Sequence, residues 1–281
     1  MRNIILVFLV VFSLKGLACN CLTIPEAQKK SVATNKLILL HFDNRYDFDD
    51  DDKAILNTYQ YDEKQNNLID NYIYVCIQGF NNVQYFQKYN IEKKSQLLII
   101  DANGEVVYQF IDFKNPNEFV SALLNFNIDK IFLTNELKAF YKNKNYNTAL
   151  RVAQKYLDYS LLVEPNFRKN LVDISKVYLT KAENNLSKKD LSFIEKQQKL
   201  ELFKLYQRAY VKNFALLEEK LAQFDSSKIL ENNIEIYYFL KYISAKGLKS
   251  EEFNKIVEKT STIEGFDYFI KKANTILELE V

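Results

Sequence analysis

The stretch KLILLHFDNRYDFDDDD, from Lys36 to Asp52, decides how the fold is read. Leu37 to Phe42 is a nearly unbroken apolar run, long enough for a strand covered on both faces and too short for a helix of its own. A parallel sheet is therefore expected. Asp47, Asp49, Asp50, Asp51 and Asp52 then stand just ahead of Ala54, Ile55 and Leu56, where carboxylates would cap free backbone N–H groups and face the positive end of a helix dipole. Strand-loop-helix folds place their chemistry at such a junction.

Working outward, the neighbouring segments alternate between helix and strand patterns. A short helix is expected around Pro25 to Thr34, a strand at Leu37 to Phe42, a helix from Asp50 to Tyr59 and a strand at Tyr72 to Gln78. A helix at Val83 to Lys88 follows, then strands at Gln96 to Asp101 and Val106 to Ile111 around the turn Ala102-Asn103-Gly104-Glu105. Asn-Gly between two β-rich runs is a strong hairpin signal. A closing helix runs from Asn117 to Phe126, behind Pro116. The order describes an α/β sheet with helices on both faces.

Three segments of this unit resemble the thioredoxin superfamily, and in particular its exported bacterial members. Asn35 to Phe42, NKLILLHF, is similar to the family's strand "NKPILLYF". Phe86 to Ile91, FQKYNI, matches "kYnI", and Leu97 to Val107, LLIIDANGEVV, matches "TLLFLDpdGkvv". The resemblance covers roughly residues 24 to 126. It places the family's Trp-Cys-x-x-Cys on Tyr46-Asp47-Phe48-Asp49-Asp50, so Asp47 and Asp50 stand at the two cysteine positions. The family's cis-proline falls on Ser95. Dithiol exchange needs a thiolate nucleophile and a leaving thiol, and a carboxylate supplies neither. The resemblance thus implies a scaffold whose redox site has degenerated, and no catalytic residue is assigned.

The acidic loop admits a second reading. Asp47, Asp49, Asp50, Asp51 and Asp52, with Asp43 nearby, are hard oxygen ligands suited to Ca²⁺, although the turn glycine and distal Glu of an EF-hand loop are missing. Solvated carboxylates complementing a helix dipole are the ordinary alternative. His41 is the single histidine, which excludes multi-histidine metal sites, and its strand position fits packing against a sheet face. There is no Gly-x-Ser-x-Gly nucleophile elbow and no phosphate-binding glycine loop. No cofactor is expected.

Met1 to Ala18 has a basic start at Arg2, an apolar core from Ile4 to Leu14 and small residues at Gly16 and Ala18, the layout of a secretory signal peptide. Export to the periplasm or cell envelope is expected. Removing residues 1–18 takes away Arg2 and Lys15 and no acid, so the net charge falls from +2 to 0. With no basic block, nucleic acid is not an expected partner. Gly16-Leu17-Ala18-Cys19 is similar to a lipobox, which would make Cys19 a lipidation site and anchor the protein to a membrane by an acyl chain; ordinary cleavage after Ala18 is the alternative. Cys19, Cys21 and Cys76 make an odd set. Cys76 reads most simply as a small buried hydrophobe; the competing reading makes Cys21 and Cys76, or Cys19 and Cys21, unconventional redox groups.

From about residue 127 the pattern turns wholly helical. Helices are expected at Asp129 to Lys142, Asn147 to Leu161, Asn166 to Asn184 and Leu191 to Lys212, the last continuing or kinking through Gln223. Others are expected at Ser227 to Ala245, Ser250 to Lys259 and Gly265 to Leu279. Leu137 to Ala149 is similar to a tetratricopeptide repeat, with a tight turn and a small Ala for close helix packing. The stripe Phe203, Tyr206, Tyr210, Phe214 is expected in the core.

The expected organisation is a signal peptide over 1–18, a thioredoxin-like α/β domain over 24–126 and an α-helical, tetratricopeptide-like hairpin domain over 127–281. The function it suggests is a non-catalytic envelope module that binds another envelope protein or a peptide. A thiol-disulfide oxidoreductase using non-standard cysteines and a Ca²⁺-binding module are the alternatives.

Overall fold

The computed structural model describes residues 22–43, 68–78, 82–92, 95–110, 115–127 and 130–279. The first helix, α1 (Ile24–Thr34), opens with a reciprocal cap between Thr23 and Glu26 and ends on Asn35 in the left-handed region at φ 60°. Strands β1 (Ile38–Asp43) and β2 (Ile73–Gln78) follow, then helix α2 (Val83–Lys88) and strands β3 (Ser95–Ile100) and β4 (Val106–Gln109). Among the described residues the sheet has four strands in the order β2-β1-β3-β4. Only β1 and β2 pair in parallel; β3 runs antiparallel to both β1 and β4. The sheet is therefore mixed, because β3 and β4 form a hairpin and β3 returns beside β1 in the opposite direction.

Alternation along the strands sends side chains to two cores. Ile38, Leu40 and Phe42 share one face with Ile73, Val75, Ile77, Leu98 and Ile100, covered by Ile24 and Ala27 of α1 and by Tyr89. Leu39, Leu97, Ile99 and Val107 point the other way, into a second core continuous with the helices that follow. The hairpin turn is held by the Asp101 carboxylate, whose Oδ1 accepts from the N–H groups of Asn103 at 2.8 Å and Glu105 at 3.1 Å. Gly104 takes φ 82° there, and a Cβ would lie 2.8 Å from Gln28 Nε2 of α1.

Helix α3 (Pro116–Asn125) closes the sheet; Asn115 Oδ1 accepts from the N–H groups of Asn117 and Glu118, and Pro116 sits in the first turn. The chain beyond is mostly helical: α4 (Lys130–Lys142), α5 (Tyr146–Ser160), α6 (Pro165–Asn184), α7 (Phe193–Tyr210), α8 (Phe214–Leu221), α9 (Ile234–Leu248), α10 (Phe253–Thr260) and α11 (Asp267–Glu278). Helix α5 starts with a reciprocal cap between Asn145 and Thr148 and is buried around most of its circumference, with Ala149, Val152, Ala153, Tyr156 and Leu157 excluded from solvent. It is the central helix of the shared core.

Two boundaries depart from expectation for local reasons. The helix read from Leu191 starts at Phe193 and breaks after Tyr210, where Lys212 adopts φ 53° and the Asn213 side chain caps α8. The helix read from Ser227 begins at Ile234, after 3₁₀ turns at Ser226–Lys228 and Glu231–Asn233. There Asn233, fully buried, donates to Gln198 Oε1 and to the Glu195 carbonyl, so its amide ties the turn to α7 instead of continuing a helix. The helix expected over Asp50 to Tyr59 lies outside the described residues.

Helices α8 and α9 approach so closely that a Cβ on Gly247 would lie 2.4 Å from the Phe214 ring. Alanine gains up to about 1 kcal/mol in helix propensity over glycine, but overpacking costs about 1–3 kcal/mol and wins where an aromatic ring cannot retreat. Gly247→Ala is therefore expected to lower the urea midpoint, and adding Phe214→Leu to recover part of the loss.

Candidate functional site

The sequence points to the loop after β1. Tyr46, Asp47, Asp49, Asp50, Asp51 and Asp52 lie outside the described residues, as does Cys19. The strand ends bordering that loop are described. Asp43, the last residue of β1, pairs with Gln78 at the end of β2 and with Ser95 at the start of β3. This edge is the carboxyl end of the parallel pair, where open α/β sheets bind their ligands.

Two residues further in, the register sets His41 beside Cys76 on adjacent parallel strands. His41 is buried at 7% exposure, and its Nδ1 lies 2.8 Å from the Tyr74 hydroxyl oxygen on β2. Cys76 is half-buried in the same row. Sequence reasoning treats His41 and Cys76 separately; the fold makes them neighbours on the sheet face that also carries Leu39 and Leu97. An imidazole next to a thiol is an arrangement from which a thiolate can be generated. Among the described residues it is the one place with the residue types that the redox alternative requires, while no group of three or more His, Cys, Asp or Glu is placed to hold a metal.

A second polar cluster joins the sheet to the helices. Asp101 is fully buried, and its Oδ2 accepts from the Tyr156 hydroxyl on α5 at 2.9 Å and the Tyr178 hydroxyl on α6 at 2.6 Å. With the two N–H groups on Oδ1, the carboxylate has four donors. Burial nevertheless pushes its pKa up to about 6, against the lowering pull of the hydrogen bonds from Tyr178, Glu105 N–H and Tyr156. Just outside, Lys181 pairs with Glu105 at 3.0 Å, beside an open hollow of about 290 Å³ lined also by Asn103, Phe140, Lys144 and Asn184.

A third cluster closes the helical part. Lys272 of α11, 7% exposed, forms an ion pair with Asp158 of α5, which also accepts from the Tyr210 hydroxyl at 3.1 Å. The ammonium lies 5.1 Å from the ring centre of Tyr206 and 5.9 Å from those of Tyr210 and Tyr268, within cation–π range. Burial holds Lys272 below the usual lysine range, with Asp158 pulling the other way. Neither Asp101 nor Lys272 stands out in the sequence as a site; an acid directly after the unbroken run Leu97-Leu98-Ile99-Ile100 is the one local signal for the first. Both join segments far apart in the chain.

No protein-family model, curated protein or solved structure matches the chain.

The Asp158–Lys272 pair makes a definite stability prediction. Asp158→Leu leaves a buried ammonium unpaired and should cost about 3–5 kcal/mol, whereas adding Lys272→Met should recover most of that loss. Urea denaturation of Asp158→Leu, Lys272→Met and the double variant measures the coupling.

Proposed function

We propose that the protein is a non-catalytic binding and assembly module of the cell envelope: a thioredoxin-like unit with a degenerate dithiol site over residues 24–126, followed by a helical, tetratricopeptide-like region over 127–281. The observation that carries the reading is the presence of Asp47 and Asp50 where the resemblance places the two redox cysteines. Carboxylates cannot form, break or exchange a disulfide. The mixed four-stranded sheet and the mostly helical C-terminal part are compatible with this reading. Export rests on residues 1–18 and the acyl anchor on Cys19; the partner is an envelope protein or peptide. Stacked helix pairs offer the extended surfaces on which helical-repeat proteins hold partners.

One observation favours the redox alternative, the placement of Cys76 beside His41 in the register of β1 and β2. A disulfide-reduction assay on insulin with dithiothreitol separates the two readings. The binding-module reading expects the wild-type rate to equal the uncatalysed background, and Cys76→Ser to leave it unchanged. Wild-type turnover that Cys76→Ser abolishes would replace this reading with an oxidoreductase.

A further inference from the structure

Among the polar contacts between sheet and helices, which include Asn103 Nδ2 to the Leu137 carbonyl and the Lys181–Glu105 pair, one buries a carboxylate without a cation. Asp101 leaves β3 at the hairpin and presents both oxygens inward, Oδ1 to its own turn and Oδ2 to one tyrosine on each of α5 and α6. Among the described residues no lysine or arginine pairs with it; Lys181, which faces the turn from α6, is bonded to Glu105. A carboxylate taken out of water without a counter-charge keeps a desolvation cost that four neutral donors only partly offset.

We propose that Asp101 is a proton-operated latch: the carboxylate and the hydroxyls of Tyr156 and Tyr178 hold the helices against the sheet, and protonation of that carboxyl tightens the closure. A protonated Oδ2 becomes a donor, and one tyrosine hydroxyl turns to accept from it while the other continues to donate. Oδ1 keeps its two N–H donors throughout.

Tyr156 and Tyr178 are pushed well above the usual tyrosine range, first by burial and then by the Asp101 charge. Tyr89, after α2, donates to the Gly104 carbonyl and is likewise raised by burial. Lys88 contacts the Tyr89 hydroxyl at 3.2 Å, and Glu105 and Lys181 are paired with each other. The sign follows from where the proton binds. When helices and sheet separate, Asp101 meets water and returns toward the ordinary value of 3.8; when they close, it rises to about 6. Between those values the closed form holds a proton that the open form has lost. Acidification through this window therefore favours closure, by on the order of 100-fold when the whole window is crossed, and the gain disappears as pH rises above it.

Hydrogen exchange of the α5 and α6 amides in the full chain, corrected for intrinsic rates, tests this at about pH 4.5 and about pH 7.5. The wild type should open less at the lower pH, by tens of fold, while Asp101→Asn should lose that dependence. His41, the single histidine, is present in both proteins and cancels in the comparison. Should Asp101→Asn fail to fold, the ¹³C carboxyl shift of Asp101 in the wild type gives the same answer through a midpoint near 6. Tyr178→Phe should raise that midpoint further by removing a donor to the ionised form, an effect that a merely space-filling tyrosine would not show. Equal pH dependence in wild type and Asp101→Asn, or a wild-type midpoint below about 4.5, overturns the proposal.

Discussion

The structure depends on one constraint: the sheet face bearing Leu39, Leu97, Ile99 and Val107 has to be covered, and the helices that follow β4 cover it. The core that begins on this face continues through Phe119 and Leu123 of α3 and through Ala153, Tyr156 and Tyr178 of α5 and α6, reaching Phe239 and Ile276 near the end of the chain. At about 25 cal/mol per Å² of apolar surface buried, closing that shared surface stabilises both parts. The opposite face has its own cover in α1, α2 and Tyr89. An α/β segment without the helices would expose one side of every strand.

Inside this apolar frame, polar groups recur where distant segments meet. Tyrosine does much of this work, because its ring fills core volume while its hydroxyl reaches an acceptor. Tyr72 of the sheet unit donates to the Leu123 carbonyl, Tyr159 to the Asn125 carbonyl and Tyr146 to the Lys196 carbonyl. Tyr156 and Tyr178 share Asp101, and Tyr210 joins Asp158 to the Lys272 cluster. These bonds add little net stability each, about 1 kcal/mol, but a misplaced helix would leave several buried polar groups unsatisfied. They select one arrangement of the helices from the many that would bury similar apolar area.

Much of the fold was legible because apolar runs and turn residues act locally. The run Leu37 to Phe42 marked β1 to within a residue, the helix at Val83 to Lys88 has the expected bounds, and Asn103-Gly104 formed the hairpin turn. Phe203, Tyr206 and Tyr210 are buried core residues, as their helical spacing implies, whereas Phe214, beyond the break on α8, is half-buried against that core. The sequence leaves open whether the helix continues or kinks past Lys212, because a lysine in the left-handed region leaves no glycine or proline signal; the structure breaks it there. The 3₁₀ turns before α9 depend on the long-range bonds of Asn233. The expected parallel sheet became a mixed one, since a buried apolar run does not reveal strand direction. His41 next to Cys76 could not be read at all, because the pair exists only through register. Asp101 and Lys272 likewise acquire their chemistry from partners far away in sequence.

A single core spanning sheet and helices implies that they unfold together, and this tests the account most directly. Scanning calorimetry of the full chain should show one transition whose calorimetric and van't Hoff enthalpies agree. Two resolved transitions, or a calorimetric enthalpy well above the van't Hoff value, would contradict the account and make sheet and helices separate folding units.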